Sequence, residues 1–181
     1  MTRTLDFHVP GVPATAGSKR AIPLFDKKAG TYRTRPNGAP MVVVVGDNKR
    51  GETWRESVRA ECRRRFFGDV HRGPVRLEAV FVFTRPKSHY RTGKNAQLLR
   101  DDAPKEHTQK PDCTKLVRAV EDALNEIVWH DDSQITRTVV EKAWGAPGQA
   151  PGAYVTIELV SDAPARDPTP QETDDMEPEY T

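Results

Sequence analysis

Residues 110 to 135 read KPDCTKLVRAVEDALNEIVWHDDSQI, and this stretch decides the fold. Its apolar residues recur with the period of an α-helix and predict a helix over residues 112–126. The acidic pair Asp131 and Asp132 is typical of a turn. Residues 133–143 then predict a strand. The buried stripe of the helix is expected to comprise Leu116, Val117, Val120, Ala123, Leu124 and Ile127.

The rest of the chain predicts an α+β fold with a small mixed sheet and two main helices. Alternating apolar residues predict strands over residues 5–9, 75–84 and 153–160. The second of these is apolar on both faces in its outer half, as expected of a central strand. The other main helix is predicted over residues 52–67, and its buried stripe is Trp54, Val58, Cys62 and Phe66.

The segments between these elements are rich in charge, glycine and proline. Residues 14–40 form a long basic stretch that we interpret as a loop, either a functional arm or a partly disordered segment. Residues 41–45 predict a short apolar strand. After the segment Arg85–Arg91, a polar run to Lys110 has little periodicity, and a polar connection of this length is usually functional or disordered.

Composition limits the class of protein. The chain has 181 residues, 36% apolar and 30% charged, which suits one domain over residues 1–160 followed by a tail over residues 161–181. No run of apolar residues is long enough to span a membrane, and the N-terminus lacks the apolar core of a signal peptide. Cys62 and Cys113 form no metal-binding or disulfide pattern. We therefore expect a soluble protein of a reducing compartment.

Charge is divided unevenly along the chain. The tail carries seven acids against one base, so the net charge of +2 leaves about +8 on residues 1–160. A domain with this excess favours a polyanionic partner, of which nucleic acid is the leading class. The Pro-rich acidic tail is predicted to be disordered, either simply solvated or able to contact the basic face of its own chain or a partner.

Three carboxylates flank the 112–126 helix, with Asp112 at its start and the acidic pair after its end. If the following turn and strand bring them together, they would repel one another unless a cation lay between them. Mg²⁺ is the natural cation, because it takes oxygen ligands, bridges to phosphate oxygens and can activate water. Spacing alone leaves an ordinary explanation open, since Asp112 suits a helix N-cap and the acidic pair suits a turn.

The same stretch resembles the RusA family of endodeoxyribonucleases, which resolve Holliday junctions, and especially the phage-type members. The family pattern is Lys/Arg-Pro-Asp-x-Asp-Asn-Leu at a helix start, Lys/Arg-Ala-x-x-Asp-Ala-Leu within the helix, and Trp-x-Asp-Asp-x-Gln in the turn after it. Residues 110–116, 118–124 and 129–134 correspond to these three segments. The order of elements is similar over residues 5–160, and the likeness is sharp only over residues 110–135.

The resemblance implies a fold, an activity and a site. By it, Asp112, Asp131 and Asp132 bind Mg²⁺ and support phosphodiester hydrolysis, and Arg118 contacts the junction. It implies a homodimer with one active site per protomer, which suits a four-way junction of nearly two-fold symmetry. It also implies a phage or prophage protein acting in the cytoplasm of a bacterial host.

One departure from the family pattern concerns the metal ligands. Thr114 and Lys115 stand where the pattern has Asp-Asn, so a carboxylate is replaced by a neutral hydroxyl and a positive charge is added. We expect activity to be retained, either because Lys115 compensates by holding phosphate or because the three remaining aspartates suffice. The alternatives are a junction-binding protein that has lost cleavage, or a small basic scaffold whose tail docks a partner.

Several basic residues are candidates for phosphate contacts. Besides Lys110, Lys115 and Arg118, the first main helix carries a stripe formed by Arg55, Arg59 and Arg63. That stripe is equally consistent with a solvated face that pairs with nearby glutamates. His130 is a candidate proton shuttle, although a histidine in a turn is more often simply exposed.

Overall fold

The computed structural model describes residues 2–15, 17, 19–46 and 49–161. Apart from its first residue, the acidic tail expected over residues 161–181 lies outside the described residues. Within the described ranges, neither helix is both long and apolar enough to cross a membrane. The α+β class is confirmed: two helices pack on a mixed four-stranded sheet, and a separate β-ribbon precedes the first helix.

The main sheet has the order β1-β8-β6-β7. These strands are β1 (Thr2–Pro10), β6 (Val75–Phe83), β7 (Ile135–Trp144) and β8 (Gly152–Val160). β8 pairs antiparallel with both β1 and β6, whereas β6 and β7 run parallel. The prediction that β6 is a central strand is therefore confirmed, because it has a partner on each side.

The core lies between one face of this sheet and the helices α1 (Lys49–Arg63) and α2 (Cys113–Leu124). The predicted stripe of α1 is buried, and that of α2 is buried apart from the partly buried Ile127. α1 begins and ends earlier than predicted. The backbone N–H groups of Arg65 and Phe66 both donate to the Cys62 carbonyl, which ends the helix in a tight turn.

The opposite face of the sheet is polar. Arg76 and Glu158 form an ion pair across β6 and β8, and Thr156 donates to the Asp6 carboxylate on β1. A sheet that packs on one face alone alternates apolar and polar side chains. β1 does so, and β6 does so in its first half but is apolar on both faces toward its C-terminal end. The helices and the connections between them are therefore the elements that position the candidate site.

The predicted loop over residues 14–40 contains three strands between Lys19 and Tyr32, so the loop interpretation is wrong for that part. β2 (Lys19–Pro23) pairs with β5 (Val42–Gly46), and β3 (Phe25–Asp26) pairs with β4 (Thr31–Tyr32). We call residues 19–46 the basic arm. Cross-strand pairing holds it together, and none of residues 21–43 is buried, so this part of its sequence has no strong alternation.

The polar connection between β6 and α2 is mostly irregular, but two of its histidines are buried. His89 and His107 pack on the ring of Trp144 from β7, with ring centroids 5.1 Å and 4.0 Å from the Trp144 ring. The indole N–H of Trp144 donates to the Glu106 carbonyl. These contacts fasten the connection to the end of β7, just before α2 begins.

Candidate active site

Asp112 occupies the N-cap position of α2, but its side chain does not cap the helix. One carboxylate oxygen, Oδ2, lies 3.1 Å from Nζ of Lys115, and more than half of each side chain is exposed. The capping explanation for this residue therefore does not account for the side chain. Exposed ion pairs contribute only about 0–1 kcal/mol, so Asp112 stays available to a ligand. Lys110 and Thr114 are exposed beside it.

Lys142 of β7 positions the start of α2. Its ammonium group donates to the carbonyls of Gln109 and Pro111, both at 2.8 Å. This places the residue before Asp112 at the C-terminal end of β7. The sequence pattern offered no sign of the role, because a lysine in a half-exposed strand is ordinary.

The 130–134 turn is held by a dense set of hydrogen bonds. Asp131 caps a single 3₁₀ turn, Asp132–Gln134, by accepting from the Ser133 N–H at 2.8 Å. Hydrogen bonds from Ser133 lower the pKa of Asp131, and nearby His130 lowers it further, so its carboxylate is charged at neutral pH. The His130 side chain is exposed.

Asp132 is oriented by the core. Its Oδ1 accepts a hydrogen bond of 2.9 Å from the indole N–H of Trp129, which is fully buried. Trp129 thus anchors the turn in the core. The Asp132 residue itself is exposed, so one oxygen is fixed while the carboxylate faces solvent.

The structure does not bring the three aspartates together within one chain. α2 has 12 residues, and at about 1.5 Å per residue it separates its two ends by about 18 Å. Asp112 lies at the end of α2 near Lys142, whereas Asp132 begins the 3₁₀ turn Asp132–Gln134 that leads into β7. Among the described residues, no group of three or more His, Cys, Asp and Glu side chains is arranged to hold a metal ion.

Asp132 instead lies near Glu121 on the last turns of α2. Burial raises the pKa of Glu121, and the charges of Asp132 and Asp122 raise it further. Arg118, one turn earlier on α2, opposes the rise and is itself exposed. Sequence reasoning missed Glu121, whose nearness to Asp132 depends on the turn that follows α2.

The three arginines of the α1 stripe lie in different environments. Arg59 donates from Nε to the Ala123 carbonyl near the end of α2, and its guanidinium also contacts Glu56 at 2.6 Å. Arg55 is half-buried, and its Nε has no hydrogen-bond partner in the described part of the chain. Arg63 is exposed, and no ion pair involves it within that same part. Arg63 is thus the member of the stripe best placed to meet phosphate.

Comparisons with known proteins add to this geometry. The model of a family described as Endodeoxyribonuclease RusA matches residues 29–158, which include α2 and the aspartates at both of its ends. The chain is also similar to the uncharacterized protein YqaN of Bacillus subtilis (strain 168), with 33% identity over 92 residues. That alignment covers 49% of this chain and 60% of YqaN, so the chain spans less than two thirds of that curated relative.

Proposed function

The chain belongs to the RusA endodeoxyribonuclease family, and from this we propose that it is a Mg²⁺-dependent endonuclease that resolves Holliday junctions or related branched DNA by paired cuts. One observation carries the proposal. The family match spans α2, and an exposed aspartate element flanks each end of that helix. Exposed carboxylates in a basic domain suit a site that meets a phosphodiester together with a divalent cation.

A magnesium site of three carboxylates does not fit a single described chain. Asp112 and the acidic pair Asp131 and Asp132 lie at opposite ends of a 12-residue helix. Mg²⁺ is commonly held by one or two carboxylates together with substrate phosphates, so either element alone is an incomplete ligand set.

We propose that a homodimer completes the site. In a two-fold dimer each contact occurs twice, so Asp112 of one protomer can meet the acidic pair of the other, and the reverse. Two such composite sites would serve the two strands to be cut. This arrangement uses the separation of the aspartates within a chain and needs no rearrangement of α2.

Mixing two inactive variants tests the composite site. Asp112→Asn and Asp132→Asn should each abolish cutting as homodimers while junction binding is retained. In a mixed dimer, one composite site would carry both substitutions and the other would be intact. We therefore expect the mixture, after co-refolding, to recover nicking of one strand of a four-way junction.

The controls separate the possible arrangements. If each site lies within one protomer, the mixed dimer has two broken sites, and nicking stays absent. Asp122→Asn serves as a matched control, because it removes an acid of α2 outside the proposed ligand set. If the Asp132→Asn homodimer cuts as fast as the wild type, the proposed ligand set is wrong.

The contact between Lys115 and Asp112 favours a second candidate, a junction-binding protein without cleavage. An ammonium group 3.1 Å from Asp112 Oδ2 competes with a cation for that carboxylate. Because both side chains are more than half exposed, we expect the competition to be weak and cleavage to be retained. Cutting that appears only in the double variant Thr114→Asp, Lys115→Asn would establish the binding protein instead.

A further inference from the structure

We propose that the tip of the basic arm is a stacking platform for unpaired bases of branched DNA. This rests on the proposed function only for the class of ligand, since it concerns binding and needs no cleavage. None of residues 21–43 is buried, so this part of the arm presents both faces of its strands to solvent. An element with so little buried surface is explained by what it contacts outside its own domain.

Two aromatic side chains stand at the tip. Phe25 and Tyr32 are cross-strand partners on β3 and β4, and their ring centroids lie 5.2 Å apart in an edge-to-face arrangement. Phe25 is 52% exposed and Tyr32 is 60% exposed. Exposed aromatic rings beside basic residues are how proteins hold single-stranded nucleic acid, because every base has a face that can stack.

The tip is ordered by its own hydrogen bonds. Asp26 accepts from the backbone N–H groups of Lys28 and Ala29. Its other carboxylate oxygen accepts from Arg33 at 3.1 Å and 3.2 Å. These contacts hold β3 and β4 in one arrangement, so the aromatic pair is presented before any ligand arrives. A preformed platform loses less conformational entropy on binding than a flexible loop.

The net positive charge of the basic arm indicates which class of ligand binds there. Residues 21–43 contain four basic residues and one acid, and that acid is paired with Arg33. Lys27, Lys28 and Arg35 are exposed on the same arm as the aromatic pair. A strip of exposed apolar residues on the arm would also suit a second copy of the chain, but two arms of the same sign repel each other. The combination of positive charge and exposed rings favours nucleic acid.

The test compares gapped with fully paired DNA in EDTA, so that binding is measured without cutting. The gapped duplex carries 2-aminopurine among three unpaired nucleotides, and affinity is read by fluorescence anisotropy. In the full-length protein, Phe25→Leu with Tyr32→Leu keeps apolar bulk on the strands but removes the rings. We expect about a tenfold loss of affinity for gapped DNA, comparable to the loss of one stacked base. Affinity for paired DNA should change less than about twofold.

A matched control is Phe67→Leu, which replaces a phenylalanine that is 72% exposed outside the arm. It should leave both affinities unchanged, and only wild-type protein and this control should quench the 2-aminopurine emission. Lys27→Ala with Lys28→Ala should weaken both DNAs alike and reduce the salt dependence of binding.

Two results would overturn the platform. One is equal affinity of the leucine variant and the wild type for gapped DNA. The other is a leucine variant that sediments as a smaller oligomer than the wild type but still prefers gapped DNA. That result would make the arm a dimer contact. Wild-type protein that shows ring-dependent binding but never cuts a junction would refute the nuclease and leave the platform standing.

Discussion

Gln134 connects the turn that carries Asp131 and Asp132 to the core domain. Its side-chain Nε2 donates to the carbonyls of His71 and Gly73, at 3.0 Å and 2.8 Å. Its Oε1 accepts from the backbone N–H groups of His130 and Asp131, both at 2.9 Å. Replacing Gln134 with Ala removes all four hydrogen bonds at once.

The expected loss of stability follows from these contacts. A hydrogen bond contributes about 0.5–1.5 kcal/mol net, and the His130 N–H keeps a second acceptor in the His71 carbonyl. Gln134 is only half-buried, so water replaces part of what is lost. We expect Gln134→Ala to lower the free energy of unfolding by about 2–3 kcal/mol, which corresponds to about 4–10 °C in Tm.

Urea unfolding followed by tryptophan fluorescence measures this loss. Gln149→Ala is the control, because the Gln149 side chain accepts one hydrogen bond, from Ala146 N–H in an exposed loop, and its loss should cost less than about 1 kcal/mol. Gln134→Glu keeps the acceptor but not the donor, and it should unfold at a lower urea concentration than the wild type. The reasoning is refuted if Gln134→Ala unfolds at the wild-type urea concentration.

Three further predictions concern stability, exchange and pH. Arg59→Ala should cost about 1 kcal/mol in urea unfolding because it loses the contact with the α2 carbonyl, whereas Arg63→Ala should cost less than about 0.5 kcal/mol and weaken DNA binding. Lys142→Met should speed amide hydrogen exchange over residues 109–112, and unchanged exchange would exclude the tethering role. Burial lowers the pKa of His107 in the folded protein, and the charge of Lys142 lowers it further. The neutral His107 therefore stabilises the fold above its unfolded pKa of about 6.5, and this contribution is lost as the pH falls through the lower folded pKa. His107→Gln should flatten the fall in Tm between about pH 7 and pH 5, and an unchanged slope would contradict this.

Most of the main domain follows from patterns visible in the sequence. The stripe of α2 and the alternation in the first half of β6 are strong because each buries one defined face, so periodicity reports packing directly. The β2, β3 and β4 strands of the basic arm were missed because none of residues 21–43 is buried, whereas the apolar run over residues 41–45 predicted the strand observed as β5. The pairing of the arm depends on hydrogen bonds in register, for which residues 19–46 carry no periodic signal.

The arrangement of the candidate site could be predicted from the sequence only in part. The three aspartates could be chosen from their positions around a helix and from the family resemblance, but spacing cannot say where the chain turns back. β7 begins beside the end of α2 and runs back toward its start, so Asp112 and the acidic pair stay at opposite ends. The burial of His107 in a polar run likewise depends on Trp144, which is distant in sequence.

The most direct test of the proposed nuclease is incubation of the purified protein with a synthetic four-way junction and a matched linear duplex, each with Mg²⁺ and with EDTA. We expect symmetric nicks in the junction alone and only with Mg²⁺. Tight junction binding without any nick in Mg²⁺ would contradict the proposal. The protein would then be a junction-binding protein in which the Lys115 ammonium group pairs with the Asp112 carboxylate in place of a metal ion.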